Sequence, residues 1–459
     1  MKSNDLLTVE SKGIARVEPE EAHGTPRALF GLWAAVNVEF ATITTGAIAT
    51  GVFGLSERDA ILAIVLANLI GCTLLALFST YGVEYGLPQM IQCQEWFGKP
   101  GNRFLSFLNF LSGFSWFAVN TVIGSYALHA TIGVAIDPAI VALTVVQVFI
   151  ALIGHDFIVA AERWFFYFLI AVFAILTVLS WLNITHAPLP NPKSLAEVGG
   201  ASGAFLLTVS IMLSWLGGWI MYSSDYTRYL CYRDNRPQMK RRVFINTFLG
   251  AFISCVWLEC LGAFIGATVQ LNSPSDLFTA WIPAWFRPLL IIAVIIGTVS
   301  PNILNIYSAS LSALATGIRL KQYQAALLTG AVGLALALFG HDNFYKHYEL
   351  LLFFLGYVIF PRVPVMIIGH FWPRRARWPG LAVGHLGFAA WLIGVVCSVP
   401  FFNQYPLFVG PFARAWPQCG DISFFVGAAA TTLAYLALTA PRHAAAHAEL
   451  PSSASPTYE

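Results

Sequence analysis

Runs of roughly 20 residues with almost no charge, long enough to cross a bilayer core as helix, recur along this chain and are separated by short clusters of Lys, Arg, Pro and Gly. The pattern predicts twelve spans, near residues 28–53, 60–81, 104–128, 138–160, 163–183, 203–222, 243–270, 288–318, 324–340, 346–370, 379–399 and 420–440. Twelve crossings put both termini on one side. Residues 1–27 are polar, carry Glu10, Glu18, Glu20 and Glu21, and lack the apolar core and cleavage site of a secretory signal. Residues 441–459 are small, polar and rich in Pro and Ser. Both ends are therefore expected to be flexible, flanking a core of helices one to ten (28–370) and an appendix of helices eleven and twelve (371–440).

Composition makes lipid the solvent. The chain of 459 residues is 57% hydrophobic and 10% charged, with mean hydropathy +0.69, a balance no water-soluble domain of this size carries. The formal net charge of +2 argues against a nucleic-acid partner, and the seven cysteines show no metal-ligand spacing and read as packing residues. Lys and Arg collect in cytoplasmic loops. With the N-terminus inside, nineteen of the 25 fall on that side, among them Arg228, Arg233, Arg236, Lys240, Arg241, Arg242, Arg374, Arg375 and Arg377. Five fall outside, and Arg362 lies within a span. So uneven a split predicts an inner-membrane protein with both termini cytoplasmic.

Three spans carry interruptions. Helix one places Asn37 and Glu39 at its centre, helix six sets Gly217 beside Gly218, and helix eight holds Pro301 among Ser300, Asn302, Asn305 and Ser308. Adjacent glycines let a helix open or a ligand approach, although glycine also serves close packing in membranes. Proline removes a backbone hydrogen bond. Helices one and six lie five apart, the interval of a five-plus-five inverted repeat (about 28–183 and 203–370) whose unwound segments hold a ligand at mid-membrane.

These segments resemble the purine-cytosine permease branch of the nucleobase-cation symporter-1 family. The resemblance rests on Trp33 with Asn37, YGLPQMIQCQEWFGKPGNRF (Gly86, Pro88, Gly98, Gly101, Arg103), GFSWFAVNTVIGSYAL, GWIMYSSDYTRYL and NILNIYSASL. It implies an all-α, leucine-transporter-like fold with helices one and six broken, importing a nucleobase such as cytosine or a purine with a coupled cation by alternating access. Allantoin, hydantoin, thiamine and pyridoxine are the alternative substrates, and no cofactor is implied.

Trp116 and Asn120 are four apart, on one face of helix three. An indole offers a flat surface for stacking, and an amide offers donors and an acceptor in the plane of a ring edge. Related transporters place a tryptophan and an amide at this spacing on substrate. Trp219 resembles the family's helix-six aromatic, with Trp215 as its rival. Asn305 and Asn302 share a face of helix eight, and Asn37 either touches substrate or steadies the unwound backbone. A carboxylate at mid-membrane costs about 2.5–3.5 kcal/mol on insertion scales and normally faces a cavity. Glu39 therefore suits a proton carrier. Sodium is the competitor: sodium-coupled relatives hold the ion with helix-one carbonyls and adjacent hydroxyls of helix eight, and here Pro301 follows Ser300 where the second hydroxyl would stand. Protons are the favoured co-transported ion. Asp225 and Arg228 are candidates for a pair that reshapes on inward opening, while Glu259 and Arg362 read as structural.

A membrane enzyme would show clustered His and acidic motifs; the ten histidines are scattered, with His155 beside Asp156 an isolated pair. A channel would show repeated pore-lining carboxylates or a carbonyl-rich filter, and neither pattern is present. The partners expected are a small heterocycle and membrane lipid, and the oligomeric state is not legible.

Overall fold

The computed structural model describes residues 12–152, 155–183, 192–232, 234–269, 282–377, 380–404 and 407–441. Lys2, Arg233, Arg442 and the side chains of His155 and Asp156 lie outside the described residues.

Among the described residues, nine helices are long and apolar enough to cross a membrane. They are helix two (Glu57–Tyr85), three (Gln94–Ile132), five (Ala160–Asn183), six (Gly200–Ile220), seven (Arg236–Thr268), eight (Arg287–Ala315), nine (Gln322–Gly340), ten (Phe344–Phe371) and eleven (Val383–Phe401). Helix one is a bent pair, Ala28–Ala35 and Phe40–Val52, turning by 58° at its break. Helices four (Ile136–Ala151) and twelve (Ser423–Leu438) are shorter but apolar, which completes the twelve elements the hydropathy pattern predicts.

Burial separates centre from perimeter. Helix six has 89% of its apolar window buried and helix five 28%. Phe149, Trp181, Phe339 and Leu433, on helices four, five, nine and twelve, turn large apolar side chains outward, as lipid permits. The second half of helix one lies so close to helix seven that a Cβ at Gly46 would stand 1.9 Å from the Glu259 carbonyl oxygen. Small residues at such crossings let backbones approach without a side chain between them.

The break in helix one has a local cause. Asn37 Nδ2 donates to the Trp33 carbonyl (2.7 Å) and Thr42 Oγ1 donates to the Asn37 carbonyl (2.6 Å). Side chains that bond nearby backbone in this way compete with the helical ladder. Glu39 is then extended (φ −147°, ψ 171°) and caps the second half-helix.

Three expectations need correction. Helix six stays helical through Gly217 and Gly218 to Ile220 and only then passes into 3-10 turns at Ser223–Tyr226 and Arg228–Leu230. Gly218 serves close approach instead: a Cβ there would lie 2.6 Å from Trp116 Nε1. Helix eight runs unbroken past Pro301. The proline removes one ladder bond, the one to the Gly297 carbonyl, which a membrane helix packed among neighbours tolerates. The third concerns the N-terminal segment, whose residues 12–27 are docked. Val17 is buried against Tyr229 and Cys231, its N–H donates to the Gly86 carbonyl (2.8 Å), and His23 N donates to the Tyr229 carbonyl (2.9 Å). This strap crosses the face that bears the termini.

Helices eleven and twelve close with a two-stranded pair, Arg374–Ala376 antiparallel to Thr439–Pro441. It ties the turn after helix ten to the end of helix twelve.

Candidate functional site

Helices one, three, six and eight bring Glu39, Trp116, Asn120, Trp215, Gly218, Trp219 and Asn305 around one enclosed cavity. Trp116 and Asn120 stand one turn apart on helix three, and Trp215 and Trp219 one turn apart on helix six, so each helix presents two side chains to the same space. The Trp116 and Trp215 rings meet edge to face at 5.1 Å, and Trp219 meets Trp33 the same way at 5.9 Å. The rivalry between Trp215 and Trp219 dissolves, because both line the wall.

With the indoles packed in these two pairs, the cavity is about 10 Å³, close to the least that holds one water. A planar ring enters only if these walls part.

The amides form a graded network. Asn302 is its hub: Nδ2 donates to the Phe117 carbonyl (3.0 Å), Thr121 Oγ1 (3.1 Å) and Gln147 Oε1 (3.0 Å). Its Oδ1 accepts from Asn120 Nδ2 (3.1 Å) and Asn305 Nδ2 (3.3 Å). Asn302 is thus fully engaged behind the wall, and it orients the two amides that face the cavity. Asn120 Oδ1 is buried with no partner. Asn37 also stands behind the wall, bonded to Trp33 and accepting from Trp215 Nε1 at 3.3 Å.

Glu39 is 1% exposed, and neither carboxylate oxygen has a partner. Trp116 Nε1 is likewise buried and unpartnered. Buried polar atoms are normally satisfied, so orphans converging on one cavity mark where a ligand's polar edge would be met.

Behind Glu39 lies a residue the sequence reading missed. Glu162, on helix five, is fully buried and accepts a 2.6 Å hydrogen bond from Ser300 Oγ, and its other oxygen is unpartnered. A Cβ on Gly297 would sit 3.5 Å from Glu39 Cβ and 3.8 Å from Leu169 Cδ2. Gly297 and Ser300 share a face of helix eight, and Glu162 and Leu169 share a face of helix five. The face of helix eight that meets Glu39 is therefore the one that meets Glu162. The boundary placed at 163 assigned Glu162 to a loop. The usable signal was its spacing to Leu169, Phe173 and Leu176, all buried on one stripe.

Elsewhere, Asp225 Oδ1 accepts from Gln89 N (2.8 Å), and Arg228 donates to the Gly13 carbonyl (2.7 Å) and to Tyr307 OH (2.9 Å). Glu259 bonds Asn68, and Arg362 donates to the Val358 (3.0 Å) and Leu105 (3.4 Å) carbonyls. Glu259 and Arg362 do not meet.

A polar-lined, aromatic cavity lies at the crossing of a bent helix with three others, and solved structures show that the fold is leucine-transporter-like. The nucleobase-cation-symport-1 family transporter Mhp1, in a closed conformation with bromovinylhydantoin bound, matches with a TM-score of 0.72 and 17% identity, covering 94% of this chain and 95% of that one. Residues 16–427 match the model of the permease family for cytosine/purines, uracil, thiamine and allantoin, and the chain belongs to that family. YxlA of Bacillus subtilis is 27% identical over 95% of this chain and 97% of its own length. The purine-cytosine permease fcyB of Emericella nidulans is 27% identical over 94% of this chain and 88% of its own. The protein is an integral multi-pass membrane transporter and not an enzyme.

Proposed function

We propose that the protein is a secondary active symporter that imports a nucleobase, cytosine or a purine, by alternating access across the inner membrane. Both termini are cytoplasmic in this reading, and the Lys and Arg bias supports that orientation. Helices one to five and six to ten act as the inverted repeats about the cavity. The observation that carries the proposal is the convergence of Trp116, Trp215 and Trp219 with the unpartnered Asn120 Oδ1 and Glu39 carboxylate. Indole faces hold a flat ring by stacking, while the two acceptors meet ring N–H and exocyclic amino donors.

Coupling is to protons. A carboxylate in a water-poor cavity is costly when ionised, and among the described residues no Lys or Arg lines the cavity beside Glu39. Protonation of Glu39, with Glu162 and Ser300 behind it, removes that cost when substrate is present, and the step reverses on the inner side. Sodium coupling would instead place an ion between helix-one carbonyls and Ser300, whose hydroxyl here donates to Glu162.

The test is uptake of labelled cytosine and hypoxanthine into proteoliposomes under an imposed pH gradient, in sodium-free buffer. Allantoin, a hydantoin, thiamine and pyridoxine serve as competitors. Saturable, gradient-driven uptake that Trp116→Ala removes is expected. Equal uptake by both proteins would refute the site, and displacement by one of the competitors but by no nucleobase would reassign the substrate.

A further inference from the structure

A second polar pocket, of about 290 Å³, opens on the face that bears the termini, where the start of helix three, the turn after helix ten and the end of helix twelve meet. Its walls include Glu95, Trp96, Arg374, Arg375, Val383 and Tyr435. The transport cavity uses none of them.

The pocket has the parts of a headgroup site. Arg374 is anchored, with Nε donating to Thr439 Oγ1 and Nη2 to the Thr439 carbonyl, both at 2.9 Å. Arg375, next on the strand, is exposed and has no protein partner among the described residues. Trp96 is 2% exposed, and its indole N–H, buried against Gly369 of helix ten, has no acceptor. An unpartnered buried donor beside a free guanidinium calls for an anionic acceptor such as a phosphate. Glu95 gives the same pocket an acidic wall, which suits a ligand that also carries a cation.

The surroundings fix the depth. Phe371 and Trp372 are 49% and 62% exposed beside the pocket, the position of an interfacial aromatic belt. Below it, Phe104 and Phe107 on helix three and Leu392 on helix eleven face outward, an apolar track for acyl chains.

We propose that this pocket binds the headgroup of a phosphatidylethanolamine. The phosphate diester accepts from Arg375, Arg374 and the Trp96 N–H, and the ammonium donates to Glu95. Basic pockets between membrane helices recognise headgroups in this manner. The bound lipid ties the first turn of helix three, which kinks at Gly98 (φ 65°, ψ 160°), to helices ten and twelve.

The test uses the full chain, purified and delipidated, with thermal unfolding followed as lipids of matched acyl chains are returned. Phosphatidylethanolamine is expected to raise the midpoint most, by roughly 2 °C or more, through mass action. Phosphatidylglycerol should do less and phosphatidylcholine least. Arg375→Gln, on an exposed side chain, should remove the increments from the first two lipids. Glu95→Gln should erase the preference between them while leaving both, and native mass spectrometry should find one retained phosphatidylethanolamine, lost in Arg375→Gln. Equal stabilisation by phosphatidylcholine, an increment that survives Arg375→Gln, or an equal effect from water-soluble phosphoethanolamine would each overturn the proposal. None of these readouts depends on which heterocycle is carried.

Discussion

Two buried carboxylates, Glu39 in the break of helix one and Asp421 at the start of helix twelve, are 1% and 0% exposed and have opposite surroundings. Asp421 Oδ2 accepts from Tyr357 OH (2.7 Å) and Asn403 N (2.9 Å), and Oδ1 accepts from the N–H (2.9 Å) and hydroxyl of Ser423. Glu39 has no partner at either oxygen. Burial alone therefore says little about role. A carboxylate whose acceptor capacity is filled holds elements together, here helices ten and twelve and the loop between eleven and twelve. One left open beside a cavity is kept for something that comes and goes.

The largest effect that separates the two follows from substituting each with its amide. Glu39→Gln mimics the protonated carboxyl and cannot release a proton, so accumulation driven by a pH gradient should fall at least about tenfold. Exchange of labelled for unlabelled substrate should survive, since exchange needs no net proton movement. An unchanged pH-driven accumulation in Glu39→Gln would refute the proton role.

The contrast recurs among the amides. Asn120 keeps an open oxygen toward the cavity, whereas Asn302 is bonded on every side. Asn120→Ala should weaken substrate binding by roughly tenfold, about 1–2 kcal/mol for one lost hydrogen bond in a dry site, with little change in unfolding temperature. Asn302→Ala should lower the unfolding temperature, because it removes the shared acceptor of Asn120 Nδ2 and Asn305 Nδ2 and one donor to Gln147 Oε1. Isothermal titration beside thermal melts checks the pair, and a reversed pattern would assign their roles the other way.

How much of this was legible depends on what each residue answers to. Span number and position follow from lipid as solvent, which acts on each segment independently, and the twelve elements lie where apolar runs predicted them. Helical spacing made legible that Trp116 and Asn120 share one face and Asn302 and Asn305 another, Trp219 came from the family resemblance alone, and of these all but Asn302 line the cavity. What failed depends on tertiary partners. Gly218 reads as a point of unwinding but answers to Trp116, and Pro301 reads as a break but takes only one bond from a long helix that stays continuous. Glu162 was hidden by a boundary drawn at 163, three residues after helix five begins at Ala160. The polar N-terminal segment was expected to be flexible, yet it docks through hydrogen bonds to its backbone and through the buried Val17 and Pro26, which composition does not reveal.

A middle-sized effect concerns Asp421. Asp421→Asn turns one acceptor into a donor facing backbone N–H or Tyr357 OH, and it should cost roughly 1–3 kcal/mol of stability. The melting temperature should fall while the pH profile of uptake stays that of the unaltered protein. A shifted pH profile would mean that Asp421 takes part in coupling and that filled acceptors do not mark a structural carboxylate.

The smallest effect comes from a third carboxylate, partnered like Asp421 but exposed. Glu21 accepts from Lys12 Nζ (2.7 Å) and from the Glu18 N–H (2.8 Å), and these bonds hold its carboxyl below the usual 4.5. A depressed value in the folded state means that the pair steadies the docked strap fully above about 4.5, with the contribution lost as pH falls through the lower folded value. Solvent screening keeps the effect slight. At pH 7, Glu21→Gln should therefore speed amide exchange at Val17 and His23, whose N–H groups bond Gly86 and Tyr229, by a small factor, leaving the helices unaffected. The difference between the two proteins should shrink as pH drops below 4.5 and through the lowered folded value, where the native Glu21 is itself losing its charge. A difference that widened on acidification would show that the strap is held by something other than this ion pair.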